Sequence, residues 1–178
     1  MAELHILGQL QGVYQVQDSS SLFCRFSLQS GPNWTVVSGC CEGQTASGKP
    51  DFKNCVVWAH PIDIHYVTTG IQGWPKLVLE LSCLDTLGRS WVVGYSCCSL
   101  PAEPGHHNIT VACWAPAAST LTDKVRQYFL GGSNQLIQTD IINLGKDRFK
   151  LNTQSKGNIQ VQIDLVLRNF SQFGVEYK

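Results

Sequence analysis

The chain has 178 residues, 43% of them hydrophobic, with 13 Lys and Arg balanced by 13 Asp and Glu to a net charge of zero. Charged residues make up 15% of the chain, against about 25% in an average globular protein. This excludes bulk attraction to nucleic acid, which needs a clear excess of Lys and Arg to neutralise phosphates. A weakly charged surface is instead expected where much of that surface is normally covered.

The elements read in chain order as alternating strands. Met1-Ala2-Glu3-Leu4-His5 has no positive, apolar and small-residue succession of a secretory leader, and Ala2 excludes myristoylation. No apolar run reaches the ~20 residues of a membrane span. A cytosolic chain with eight free thiols is therefore expected. In that compartment the acceptor triplets at Asn33, Asn108 and Asn169 go unused. A first strand runs over Leu4–Leu10. Leu22, Cys24, Phe26 and Leu28 alternate along a second, and Trp34–Cys40 follows the Ser30-Gly31-Pro32-Asn33 turn. Ile62–Thr68, Leu77–Cys83, Trp91–Cys97 and His107–Cys113 continue the series, separated by Gly73-Trp74-Pro75 and by Pro101–Gly105. One short helix is predicted over Leu121–Leu130, with Thr120 and Asp123 as a capping box and Gly131-Gly132 as the stop. Leu121, Val125 and Phe129 give it one apolar stripe. Arg148–Thr153 and Asn158–Leu167 close the series. Many short strands with regular turn signals predict an all-β fold of antiparallel sheets packed face to face, with one helix inserted. No linker divides the chain, so residues 1–178 read as one domain.

Three stretches are apolar on both faces: Val56-Val57-Trp58, Trp91-Val92-Val93 and Leu165-Val166-Leu167. The outer face of a sandwich strand ordinarily meets water. Such strands need cover, and one short helix is too small to cover all three.

Chemical motifs are incomplete. Gly43-Gln44-Thr45-Ala46-Ser47-Gly48-Lys49-Pro50 resembles a phosphate-binding loop, but Pro50 stands where a magnesium-binding hydroxyl belongs and no helical period follows. It reads as a flexible turn. Cys40-Cys41, Cys97-Cys98 and His106-His107 are adjacent pairs whose members a strand sends to opposite faces. Asp63 and His65 share a face, yet two ligands are too few for zinc. Gly94-Tyr95-Ser96-Cys97-Cys98 lacks the final glycine of a nucleophile elbow, and no acidic run gathers calcium. No cofactor is expected. Lys146, Arg148 and Lys150 line one strand face, with Lys156 in the following turn. They offer a calcium-independent contact with anionic lipid, as an alternative to a solvated strand.

Taken in order, Met1–Gln9, Ser21-Leu22-Phe23-Cys24, Glu42-Gly43-Gln44-Thr45 and His60-Pro61-Ile62-Asp63-Ile64-His65 form a recognisable series. It continues through Gly70-Ile71-Gln72-Gly73-Trp74-Pro75-Lys76-Leu77, Gly94-Tyr95, Leu100-Pro101 and Pro104-Gly105 to Leu167-Arg168-Asn169-Phe170 and Gly174-Val175-Glu176. Over essentially its whole length the chain resembles the B9 domain family. The resemblance implies a C2-like β-sandwich at the base of the cilium, in the transition zone near the basal body. It implies association with B9 domain-containing protein 1 and the Meckel syndrome type 1 protein, within a tectonic-containing complex that limits diffusion of membrane proteins into the cilium. A non-enzymatic scaffold is the expected role. Contacts are expected on the loop of Pro101, Ala102, Glu103 and Pro104, whose prolines lower the entropy lost on docking. Trp74 and Phe170 are candidate aromatic anchors, and Arg168 a partner for a carboxylate or an internal ion pair. An enzyme using a cysteine or a nucleotide is the remaining rival.

Overall fold

The computed structural model describes residues 1–16, 20–117 and 152–175. The helix expected over Leu121–Leu130 and most of the strand expected over Arg148–Thr153 lie outside them. The described residues form nine strands: β1 (Ala2–Tyr14), β2 (Ser21–Gln29), β3 (Trp34–Gly39), β4 (Glu42–Gln44), β5 (Cys55–Thr68), β6 (Lys76–Leu84), β7 (Ser90–Ser99), β8 (Gly105–Pro116) and β9 (Thr153–Arg168). A 3-10 turn over Phe170–Phe173 follows β9.

All pairings are antiparallel, in the order β3-β5-β1-β9-β8-β7-β6-β2-β4. The strands at the two ends of that order, β3 and β4, are separated in the chain only by Cys40 and Cys41, so the sheet must curl until its edges meet. Leu28 N–H donates to Cys41 O at 2.7 Å and Trp58 Nε1–H to Leu22 O at 3.1 Å, tying the two sides together. The opposite corner is thin. β7 and β8 register through one pair, Tyr95 with Trp114, helped by Ser96 Oγ donating to Ala112 O at 3.1 Å. The result is an antiparallel sandwich, β3-β5-β1-β9-β8 facing β7-β6-β2-β4.

Alternation fills the space between the layers. Leu4, Ile6 and Leu10 of β1, Ile62 and Ile64 of β5, and Ile159, Val161, Ile163 and Leu165 of β9 are buried in one cluster. Leu22, Cys24 and Leu28 of β2 and Leu77, Leu79, Leu81 and Cys83 of β6 belong to the same cluster.

The structure differs from the sequence reading in several places. Cys40 lies in the β3–β4 link rather than in a strand. β4 was not anticipated, because three residues are too few to carry a period. The loop resembling a phosphate cradle is pinned along β2. Gly43 and Gln44 belong to β4, buried Thr45 Oγ1 accepts from Cys24 N–H at 3.0 Å, and Gly48 pairs with Leu22. It is an edge of the sheet, not a free turn. Lys156 sits within β9 as the extra residue of a bulge, between Cys113↔Gly157 and Trp114↔Ser155.

Cover on the outer faces is uneven. Val78, Tyr95 and Trp114 form a second buried cluster with Val92 and Cys97 packed against it, so at β7 the chain supplies its own cover. On the other layer, Val57 is 66% and Val166 51% exposed.

Candidate functional site

One end of the sandwich gathers the β5–β6 loop, the β7–β8 loop and the segment after β9. Gly31 N–H donates to Gly73 O at 2.8 Å, and a Cβ on Gly31 would come within 2.8 Å of Gly73 Cα. Gly73 also has φ 75°, a left-handed conformation that glycine adopts without strain. This tight crossing sets the two tryptophans. Trp34 Nε1–H donates to Gln72 O at 3.0 Å, and Trp74 Nε1–H to Leu100 O at 3.1 Å. Their rings meet edge to face, 5.2 Å apart at 88°.

Asn169, at φ 60°, turns the chain out of β9, and Gly174 ends the 3-10 turn. Between them Phe170 drops into the aromatic cluster, 6.0 Å from Trp74, 6.3 Å from Trp34 and 6.4 Å from Phe173. It is 1% exposed.

Over this cluster lies a cavity of about 200 Å³, lined by Ile71, Trp74, Ala102, Leu167, Phe170 and Val175. All six side chains are apolar. The volume is below the about 300–1,000 Å³ typical of small-molecule pockets and suits a single large apolar side chain of a partner. Among the described residues, no titratable side chain lines it. A larger, open groove of about 550 Å³ lies on the outer face of β2, β4, β6 and β7. There Arg25 is occupied by Glu80 at 3.8 Å and by Gln44.

The structure brings Trp74, Ala102 and Phe170 together in the apolar pocket. Phe170 is too buried to protrude as an anchor and instead forms part of the pocket's wall. Pro101 is half-buried beside it, and Glu103 and Pro104 are exposed. His107 Nε2 donates to Glu103 O at 2.9 Å, fastening the far side of that loop. Arg168 takes the internal option, its Nη1 3.6 Å from Glu3 Oε2, on a side chain 70% exposed. Ile71, Leu167 and Val175 were missed. All three stood inside recognisable blocks, but nothing local marked them as parts of one cavity. Lys146, Arg148 and Lys150 lie outside the described residues, and Lys156 is half-buried in β9.

Three of the thiols, Cys24, Cys98 and Cys113, sit in surroundings that favour the protonated form. Burial pushes Cys98 up to about 12 and Cys113 up to about 11. Cys24 is raised too, by burial first and by Cys113 second. Such thiols stay protonated at neutral pH and make poor nucleophiles. Cys97 packs on the outer cluster and Cys98 on the main core, so the pair does split across the sheet.

The family model B9-C2, described as "Ciliary basal body-associated, B9 protein", matches residues 4–166. The chain belongs to the B9 family. It is 39% identical to B9 domain-containing protein 2 of Homo sapiens over 176 residues, covering 99% of each chain. Identity to B9 domain-containing protein 2 of Drosophila melanogaster is 37% over 178 residues, the full length of both. B9 domain-containing protein 1 of Mus musculus is 27% identical over 175 residues, 97% of this chain and 85% of that one. Among solved structures, the C2A domain of plant Extended Synaptotagmin 1 aligns with TM-score 0.47 and 10% identity over 93% of each chain. Within the B9 chain, Leu167, Phe170 and Val175 of the pocket fall just past the matched segment, while Ile71, Trp74 and Ala102 fall inside it.

Proposed function

We propose that this chain is a non-enzymatic, single-domain interaction subunit of the transition zone at the cilium base. It associates with B9 domain-containing protein 1 and the Meckel syndrome type 1 protein in a tectonic-containing complex. That complex supports cilium assembly and restrains membrane-protein diffusion into the cilium. Family membership supports the ciliary setting, since the matching family is described as basal body-associated. The observation that carries the interaction role is the preformed apolar pocket of Ile71, Trp74, Ala102, Leu167, Phe170 and Val175. A preformed apolar cleft of this kind accepts one anchor side chain with little entropy lost by the receptor. The aromatic floor is locked by hydrogen bonds at both tryptophans, so the cavity does not need the partner in order to form.

Ala102 is exposed at the rim, so Ala102→Arg fills the mouth without disturbing the core. Binding to purified B9 domain-containing protein 1, measured by titration calorimetry, is expected to weaken by at least about thirtyfold, the loss of one hot-spot contact. Unchanged affinity in a variant that keeps the wild-type unfolding midpoint would remove the pocket from the interface.

A further inference from the structure

We propose that Glu3, His5 and His65 form a binding site for a divalent transition-metal ion, with zinc the best match. The three residues lie on the outer face of the β5-β1-β9 layer and none of them lines the apolar pocket. The period of two places Glu3 and His5 on the same face of β1. The β1–β5 register sets His5 directly opposite His65. One ligand atom from each residue lies within 4.8 Å of the others.

His65 is the decisive residue. Its Nε2 is shielded from solvent and makes no hydrogen bond. The nearby Glu3 Oε2 stands 3.6 Å away, too far to serve as an acceptor. A buried ring nitrogen without a partner is costly, and a metal ion would satisfy it. The β1–β9 register places Val166 opposite His5 and the β1–β5 register places Val67 opposite Glu3.

Two imidazoles and one carboxylate make the three-ligand set of zinc sites that leave a fourth position to water. Calcium and magnesium prefer oxygen ligands, so this set discriminates against them. Tetrahedral zinc holds its ligand atoms about 3.4 Å apart, so atoms that lie within 4.8 Å of one another must contract by no more than about 1.4 Å. The rings of His5 and His65 are stacked, with centroids 3.6 Å apart and planes at 20°. Imidazole lone pairs lie in the ring plane, so capture requires the rings to splay from this stack. Arg168 Nη1, 3.6 Å from Glu3 Oε2, is the competing cation, and its exposed side chain is free to swing away.

The test uses the purified full chain, zinc titrated in competition with a chromophoric chelator, and cobalt(II) as the spectroscopic probe. One zinc per chain is expected. His5→Gln, Glu3→Gln and His65→Gln are each expected to lower zinc affinity by at least about a hundredfold, since even outer-shell changes cost about 10–100-fold. Cobalt is expected to give visible ligand-field bands without thiolate charge transfer. Absence of zinc binding, affinity unmoved by His5→Gln and Glu3→Gln, or a thiolate band from the cysteines would each overturn the assignment. Those two variants decide the matter even if His65→Gln does not fold.

Discussion

Phe170→Ala measures how far the end of the sandwich rests on its aromatic cluster. Phe170 is 1% exposed, and its ring meets Trp74 at 6.0 Å, Trp34 at 6.3 Å and Phe173 at 6.4 Å. Neither tryptophan can collapse into the space left behind. Trp34 is held by its bond to Gln72 O and Trp74 by its bond to Leu100 O. The substitution therefore takes the full transfer-plus-cavity cost of about 3–5 kcal/mol. For a chain of this size that corresponds to a midpoint lowered by about 6–20 °C, at about 2–4 °C per kcal/mol. Urea unfolding followed by tryptophan fluorescence reads it, because two of the reporting indoles touch the mutated ring. Phe52 provides an internal control, being fully exposed. Phe52→Ala is expected to change stability by no more than about 0.5 kcal/mol. Equal costs at the two phenylalanines, or less than about 1 kcal/mol at Phe170, would refute the claim that this ring is a keystone of the pocket.

Gly73→Ala introduces a side chain at φ 75° against the backbone of Gly31. The left-handed conformation alone costs about 1–2 kcal/mol, so urea denaturation is expected to show a loss above about 2 kcal/mol; a neutral result would contradict the close crossing. The buried thiols make stability fall in alkali. An unfolded cysteine loses its proton near pH 9.0 while folded Cys98 keeps it to about 12. Between those values the unfolded state binds fewer protons, and stability declines as pH rises by up to about 1.4 kcal/mol per pH unit. Cys98→Ser is expected to flatten that decline between about pH 9 and about pH 11, and parallel urea-stability curves for the two proteins would argue against the raised thiol.

Strand identity was legible because it is local. Leu22, Cys24, Phe26 and Leu28, or Ile159 through Leu167, declare their inward face by spacing alone, and the structure buries Leu22, Cys24 and Ile159 as that spacing requires. The three doubly apolar stretches were equally visible, but their fate was not. The same pattern gave a covered face at Val92 and bare side chains at Val57 and Val166, because cover depends on what the rest of the chain lays across the sheet. Lys156 was misplaced into a turn since a bulge interrupts the period there. The pocket was half legible. Trp74, Ala102 and Phe170 drew attention separately, yet they are far apart in sequence and only their meeting makes a cavity.

The alternation and turn chemistry of the chain determine an antiparallel, all-β protein with a large apolar interior, since burying one face of each strand is favourable whatever its neighbours are. Tertiary structure alone decided which strands lie side by side, and with that, which side chains share a surface. His65 could be paired on paper only with Asp63 along its own strand; the register of β1 against β5 supplied His5 and Glu3 from the far end of the sequence. A site is a coincidence in space between residues that local periodicity cannot relate, and the curling of the sheet creates it.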